Sequence, residues 1–241
     1  MRTVSVIVAT LLFCYLVGVS VYFSRDRQVK TCTDIRIVVK DSLEKHFVNE
    51  KDVELILKRA SLNPIGKPMG KINTEKIENV LMDNQMIREV EAYKTPSGII
   101  RLEIVQKMPV LRIMGVRGNY YVDNEGSTMP VSSHYVAHVP VATGFVEKAF
   151  AMTDLYKFAL FLQENKFWYN QIEQIFVSPD REIELVPRVG NHRILLGSLD
   201  DYRTKLDNLR LFYRQAIPYV GWDKYSLINL KYKNQIVCTK K

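Results

Sequence analysis

INTEKIENVLMDNQMIREVEAYKTPSGIIRLEIVQ, residues 72–106, decides the fold of the first half of the chain. Asn73 precedes an amphipathic run, and its side-chain oxygen can accept from an amide one turn inside a helix. Ile72 and Ile77 bracket that cap as a hydrophobic staple, and Ile77, Val80 and Leu81 form one apolar stripe. Two strands follow, around Ile87–Lys94 and Ile99–Gln106. In the second, Ile100, Leu102 and Ile104 alternate with Arg101 and Glu103, the period of a half-buried strand. Thr95-Pro96-Ser97-Gly98 joins them with Pro at i+1 and Gly at i+3, which is turn chemistry.

The residues before this stretch repeat the device. Asn49 caps a helix that begins at Glu50, Val48 and Val53 can staple it, and Val53, Ile56, Leu57 and Ala60 share one face. Asn63-Pro64 and Gly66 end it. Further back, Ile35, Ile37 and Val39 alternate with Arg36 and Val38 as a strand. The order is therefore strand-helix-helix-strand-strand, two helices on one face of a small sheet, with the other face and an edge left open.

Val4–Phe23 is twenty residues without a charge. As a helix rising 1.5 Å per residue it matches the roughly 30 Å hydrocarbon core of a bilayer. A cleaved leader needs a shorter apolar core and a small-x-small site; Gly18-Val19-Ser20 is a weak one, and the apolar run continues past it. Bulky Leu12 and Phe13 argue against a lipid anchor on Cys14. Flanking charge, Arg2 on one side and Arg25, Arg27 and Lys30 on the other, favours a cytoplasmic body, but long domains translocate largely regardless of flanking charge.

After Met108 the texture changes to short strands. Asn119-Tyr120-Tyr121-Val122 running into Asp123-Asn124-Glu125-Gly126 is a hairpin signal. Val139-Pro140-Val141-Ala142 ends at Thr143-Gly144. Thr153 is placed to cap a helix burying Leu155, Phe158, Ala159 and Leu162. Strands are expected at Ile172–Val177, Ile183–Val186 and Arg193–Leu196. A longer helix near Asp200–Ala216 buries Tyr202, Leu206, Leu209 and Phe212. A last strand starts near Tyr225 and sets Ile228, Leu230, Tyr232, Ile236 and Cys238 on one side.

Nothing in this chain announces catalysis. The net charge of +8 is spread along the sequence, so the bare reading is a solvated basic surface rather than a nucleic-acid patch. Cys14, Cys32 and Cys238 fit no metal or redox spacing; a Cys32–Cys238 bridge is open only if the fold brings the thiols together. His134 and His138 lie four apart, but in a loop-and-strand stretch rather than on the helix that a metal pair needs. Gly115-Val116-Arg117-Gly118 is a tight turn rather than a phosphate loop, and Glu182 and Glu184 alternate out of a strand as a solvated face. No G-x-S-x-G, Walker loop or H-E-x-x-H is present. The expectation is no enzyme, no cofactor, no metal, no nucleic acid and no small-molecule substrate.

Taken in order, these segments resemble the FtsQ/DivIB family of bacterial cell-division proteins, in its Bacteroides-type branch. The resemblance rests on Tyr120-Tyr121-Val122-Asp123-Asn124-Glu125-Gly126 with Met129-Pro130, on Val139–Gly144, on the Arg193–Gly197 strand running into an amphipathic helix, and on Ile228-Asn229-Leu230-Lys231-Tyr232. It implies an α+β chain: a cytoplasmic tail (1–3), a transmembrane helix (4–23), a linker (24–33), a POTRA domain (34–107) and a β-rich domain with two helices and an exposed C-terminal edge strand (108–241). It implies an inner-membrane protein with a periplasmic body at the septum, a non-enzymatic scaffold linking early and late division proteins. Partners would be FtsB- and FtsL-like proteins and other divisome components, with one of them adding a strand along Leu230, Lys231, Tyr232, Lys233, Asn234 and Gln235. The rival classes are a POTRA-bearing accessory of a periplasmic transport system and a cell-wall hydrolase.

Overall fold

The computed structural model describes residues 10–22, 30–40, 47–132, 135–233 and 235–241. Residues 10–22 form a helix, α1, whose side chains are almost all exposed. No helix among the described residues is long and apolar enough to cross a membrane; the expected span 4–23 extends at both ends beyond them, and most of the linker lies outside them too. The chain divides into two compact units, Met1–Gln106 and Lys107–Lys241.

The first unit orders its sheet β1-β3-β2, from β1 (Asp34–Lys40), β2 (Ile87–Lys94) and β3 (Ile99–Gln106). β3 is central, parallel to β1 and antiparallel to β2. The parallel pair requires a crossover, which α2 (Glu50–Arg59) and α3 (Thr74–Met82) supply. Both helices start as their caps dictate. Asn49 accepts from Asp52 N at 3.0 Å while the Asp52 carboxylate accepts from Asn49 N at 3.0 Å, a reciprocal capping box. Asn73 accepts from Lys76 N at 3.0 Å. Ile100, Leu102 and Ile104 are sealed beneath Val53, Leu57, Ile77 and Leu81, all at most 1% exposed. Gln106 is buried as well, and its Oε1 accepts from Val48 N.

On the other face of this sheet Glu103 gathers partners. Lys40 lies 2.9 Å and Arg101 3.0 Å from its carboxylate, and the Tyr93 hydroxyl donates to it. Tyr93 and Lys40 hold the Glu103 carboxyl below its ordinary range. The edge of β2 is engaged: the amide of Ala92 donates to Glu78 Oε1 of α3 at 2.7 Å.

The second unit is a nine-stranded sheet ordered β12-β11-β10-β9-β8-β7-β4-β5-β6. Its strands are β4 (Pro109–Gly115), β5 (Gly118–Asp123), β6 (Thr128–Met129), β7 (Val141–Gly144), β8 (Ile172–Val177), β9 (Ile183–Pro187), β10 (Arg193–Gly197), β11 (Tyr225–Asn229) and β12 (Val237–Lys240). Helices α4 (Lys148–Met152), α5 (Asp154–Glu164), α6 (Lys166–Gln171), α7 (Tyr202–Gln215) and α8 (Ile217–Val220) complete it. One sheet face contributes Leu111, Ile113, Ala142, Ile175, Leu185, Ile194 and Ile228 to a core shared with Phe158, Leu162, Trp168, Leu206 and Leu209 of the helices. The alternate residues, among them Arg112, Thr143, Gln174, Glu184 and Asn229, are exposed or half-buried.

Several expectations are corrected here. Thr153 makes no side-chain cap for α5; it closes α4, its hydroxyl donating to Ala149 O at 2.9 Å. Helices α4, α6 and α8 are additions to the two expected. On α7 the buried aromatic is Tyr213 rather than Phe212, because residues 206, 209 and 213 follow the helical stripe and the Tyr213 hydroxyl meets His192 Nε2 at 2.7 Å. The expected long last strand is broken in two, with β11 ending at Asn229 and β12 starting at Val237.

The hairpin motif of residues 120–126 does structural work. Asp123 is buried, and its Oδ1 accepts from Glu125 N at 3.0 Å and Ser127 N at 2.8 Å. Lys107 Nζ stands 3.1 Å from Oδ2, near enough for an ion pair though not aligned for a hydrogen bond. Tyr156 of α5 donates to Asn124 O at 2.7 Å. Gly126 turns with φ +77°, and a Cβ there would lie 3.3 Å from Met152 O, so glycine is what lets the turn sit against the helices. Tyr121 is buried, with Arg112 donating to its hydroxyl at 2.8 Å.

Candidate partner-binding edge

The C-terminal end of the large sheet is built from β10, β11 and β12. β10 and β11 run parallel with Ile194 opposite Ile228, and both side chains are fully buried. On its other flank β11 pairs antiparallel with β12, Ile228 opposite Cys238 and Asn229 opposite Val237. β11 therefore has neighbours on both sides, and the free edge belongs to β12.

This moves the expected edge. Leu230 is 3% exposed, and its amide donates to Leu195 O at 2.9 Å, so it belongs to the core. The chain then leaves the ladder because Lys231 N donates to Asn229 Oδ1 at 2.9 Å, the local side-chain turn that Asn favours. Lys231 lies over Gly197 and pairs with Glu182. Tyr232, Lys233 and Gln235 are exposed in the connection; Asn234 lies outside the described residues. Tyr232, Lys233 and Gln235 therefore belong to the connection that delivers the edge strand.

The edge missed by sequence reading is Val237–Lys240. Ile236 and Cys238 pack toward the core, while Val237 and Thr239 are exposed. Burial pushes the Cys238 thiol up from its ordinary value. In an antiparallel pair successive residues turn their amides alternately toward and away from the partner strand, so half of the backbone groups of β12 face outward. The Ser226 hydroxyl steadies the strand by donating toward Thr239 O at 3.3 Å, and Lys240 and Lys241 place positive charge at its end. The signal that could have found this hairpin is the polar run Lys231–Gln235 between two apolar runs, with Asn229 at its start.

Behind the edge, His192 is buried; its ring stacks on Trp222 at 6.1 Å and meets Tyr213 edge-on at 5.7 Å. Burial holds the imidazole below its ordinary pKa of 6.5, with Lys241 adding to the effect. Burial also pushes the Tyr213 phenol well above its ordinary range. The pair is a neutral hydrogen bond inside an apolar site.

The residues weighed for chemistry are dispersed. Arg188 stands 3.3 Å from His138 Nε2, while His134 lies outside the described residues. Glu184 pairs with Arg193 at 3.3 Å and Glu182 with Lys231. Among the described residues no group of three or more His, Cys, Asp or Glu could hold a metal ion. The three cysteines are free thiols.

A family described as FtsQ/DivIB, C-terminal related, matches residues 108–239, more than half of the 241 residues. The chain belongs to the FtsQ/DivIB family. That match runs from the residue before β4 to the third residue of β12, so the strands that make the free edge are part of the FtsQ/DivIB match. Residues 30–105 match a POTRA-like domain, which agrees with the β1-α2-α3-β2-β3 order of the first unit. The chain is similar to the cell division protein FtsQ of Rhodothermus marinus (strain ATCC 43812 / DSM 4252 / R-10), 25% identical over 193 residues that cover 75% of this chain and 70% of that protein.

Proposed function

We propose that this chain is a membrane-anchored, non-catalytic scaffold of bacterial cell division that binds a partner by adding its strand to the free edge of β12. Two observations support the reading: the FtsQ/DivIB match across the second unit, and an edge strand with one pairing partner and exposed flanks. Unpaired N–H and C=O groups on such an edge give an incoming strand its main-chain hydrogen bonds, and alternate side chains give it specificity. Tyr232, Lys233 and Gln235 flank the docking strand at the turn, and Lys240 and Lys241 favour an acidic neighbour while discouraging edge-to-edge self-association.

The apolar run 4–23 is the anchor in this reading, with residues 1–3 cytoplasmic and 24–33 as linker. The POTRA domain (34–107) and the β domain (108–241) stand in the periplasm, and FtsB- and FtsL-like proteins are the partners. The experiment is a proline scan of the edge in the purified full chain, read by binding of an FtsB-like peptide and by thermal unfolding. Pro at whichever of Cys238 and Thr239 points its amide outward abolishes binding while lowering the melting temperature no more than Ala at the same position does. Normal binding by both variants overturns the strand-addition reading.

A further inference from the structure

The solvent side of the helical layer carries a second surface that shares no residue with the edge or its turn. Phe161 of α5 meets Tyr202 of α7 at 5.1 Å, and Trp168 of α6 meets Tyr213 of α7 at 6.3 Å, so α5 and α6 lie alongside α7. Along their seam runs an open depression of about 400 Å³ lined by Phe161, Glu164, Lys166, Phe167, Arg203 and Arg210. The Arg203 guanidinium sits 4.7 Å from the Phe161 ring centre and the Arg210 guanidinium 5.0 Å from that of Phe167. Among the described residues no hydrogen bond or ion pair engages either guanidinium.

Stacking holds each guanidinium by one face and leaves its planar fork of N–H donors to solvent. The two are seven residues apart on α7, or roughly 10.5 Å along its axis. That is the spacing of side chains at i and i+7 on a second helix laid beside it. Asp207 lies between them on the same face of α7, four residues from Arg203 and three from Arg210. Glu164 and Lys166 repeat the mixture of signs on the opposite wall. A uniformly anionic surface, whether bilayer or nucleic acid, meets Asp207 and Glu164 with repulsion. A partner helix with carboxylates at its ends and a cation between them matches Arg203, Asp207 and Arg210 on this face of α7, and an apolar residue between can rest on Phe161 and Phe167.

We propose that this groove docks an acidic helical segment of a partner protein, with two carboxylates seven residues apart received by Arg203 and Arg210. The interaction is separate from strand addition at β12, so a scaffold of this kind holds two partners, or two parts of one partner, at once.

The test is fluorescence anisotropy of a labelled helical peptide with Glu at i and i+7, Lys at i+4 and Leu at i+3, titrated with the full chain in detergent micelles at low salt. Saturable binding is expected, weakened about tenfold or more by the double change Arg203→Glu and Arg210→Glu, since each exposed contact is modest and reversal adds repulsion. A charge-reversed peptide, Lys at i and i+7 with Lys kept at i+4 opposite the unchanged Asp207, binds that double variant and not the native chain. Raising the salt weakens both complexes, and Thr239→Pro changes neither. The double change Arg203→Gln and Arg210→Gln, which leaves no repulsion, lies between. Absent binding, equal binding by native chain and double variant, or failure of the reversed peptide overturns the proposal. So does the replacement of peptide binding by binding of phosphatidylglycerol vesicles that the double variant loses, which would make the groove a lipid surface.

Discussion

The two ends of the nine-stranded sheet handle the same problem differently. At one end β6 is two residues long, its Met129 is 1% exposed, and the hairpin before it is bound inward by Asp123 and Lys107. At the other end β12 is four residues long, and among the described residues no strand pairs with its outward edge. Natural sheets blunt their edges by brevity, charge or cover. This one is blunted by brevity at β6 and by charge at Lys240 and Lys241, which leaves the backbone of β12 available. The small sheet offers a third treatment: Glu78 of α3 accepts the Ala92 amide of edge strand β2. Within the nine-stranded sheet β12 is the longer of the two edges and the one not bound inward by a buried turn, and that difference directs the functional reading.

The comparison can be broken hardest at its closed end. Asp123→Ala removes the acceptor for two turn amides and the ion-pair partner of Lys107, a loss of about 2–4 kcal/mol. Chemical denaturation measures it, and the protein that remains folded should bind an edge-pairing peptide with undiminished affinity. If instead the affinity falls with the stability, the two ends are coupled and the contrast fails.

Next is the seat of the open end. Gly197 has φ +74°, and a Cβ there would come 2.7 Å from Lys231 Cγ. Gly197→Ala should cost about 1–2 kcal/mol through backbone strain, since the lysine stem can yield. The measurement is the melting temperature beside that of Lys231→Ala, whose exposed pair with Glu182 should cost only about 0.2–1 kcal/mol.

How much of this was legible varies with the range of the cause. Asn49, Asn73 and Thr95–Gly98 act on amides within four residues, and the structure puts the helices and the hairpin where those residues ask for them. The break in the last strand also has a local cause, the Asn229 side chain turning Lys231. It was hidden because Leu230 and Tyr232 continue the alternation past the true end. The burial of Tyr213 in place of Phe212 follows the 206–209–213 stripe, but the partner of its hydroxyl, His192, lies 21 residues away, where no helical period reaches. α4 and α6 are short and derive their helicity from packing on the core. Which strand would end up at the sheet margin was decided by pairing, and alternation of side chains is silent about it.

His192 sharpens the open end by pH. Its folded pKa lies below the unfolded value because burial disfavours the imidazolium. Between the two values the unfolded chain binds more protons, so this group's stability is present above pH 6.5 and is lost as pH falls toward the folded pKa. The slope is at most about 1.4 kcal/mol per pH unit for one proton. His192→Gln should flatten stability against pH in that window, and a retained slope would assign it to other groups.

The decisive measurement is amide hydrogen exchange of the full chain with and without an FtsB-like peptide. Residues 237–240 should gain protection at alternate amides on binding, while those of β6 and β2 exchange unchanged. Protection that appears elsewhere and leaves β12 untouched would contradict the account.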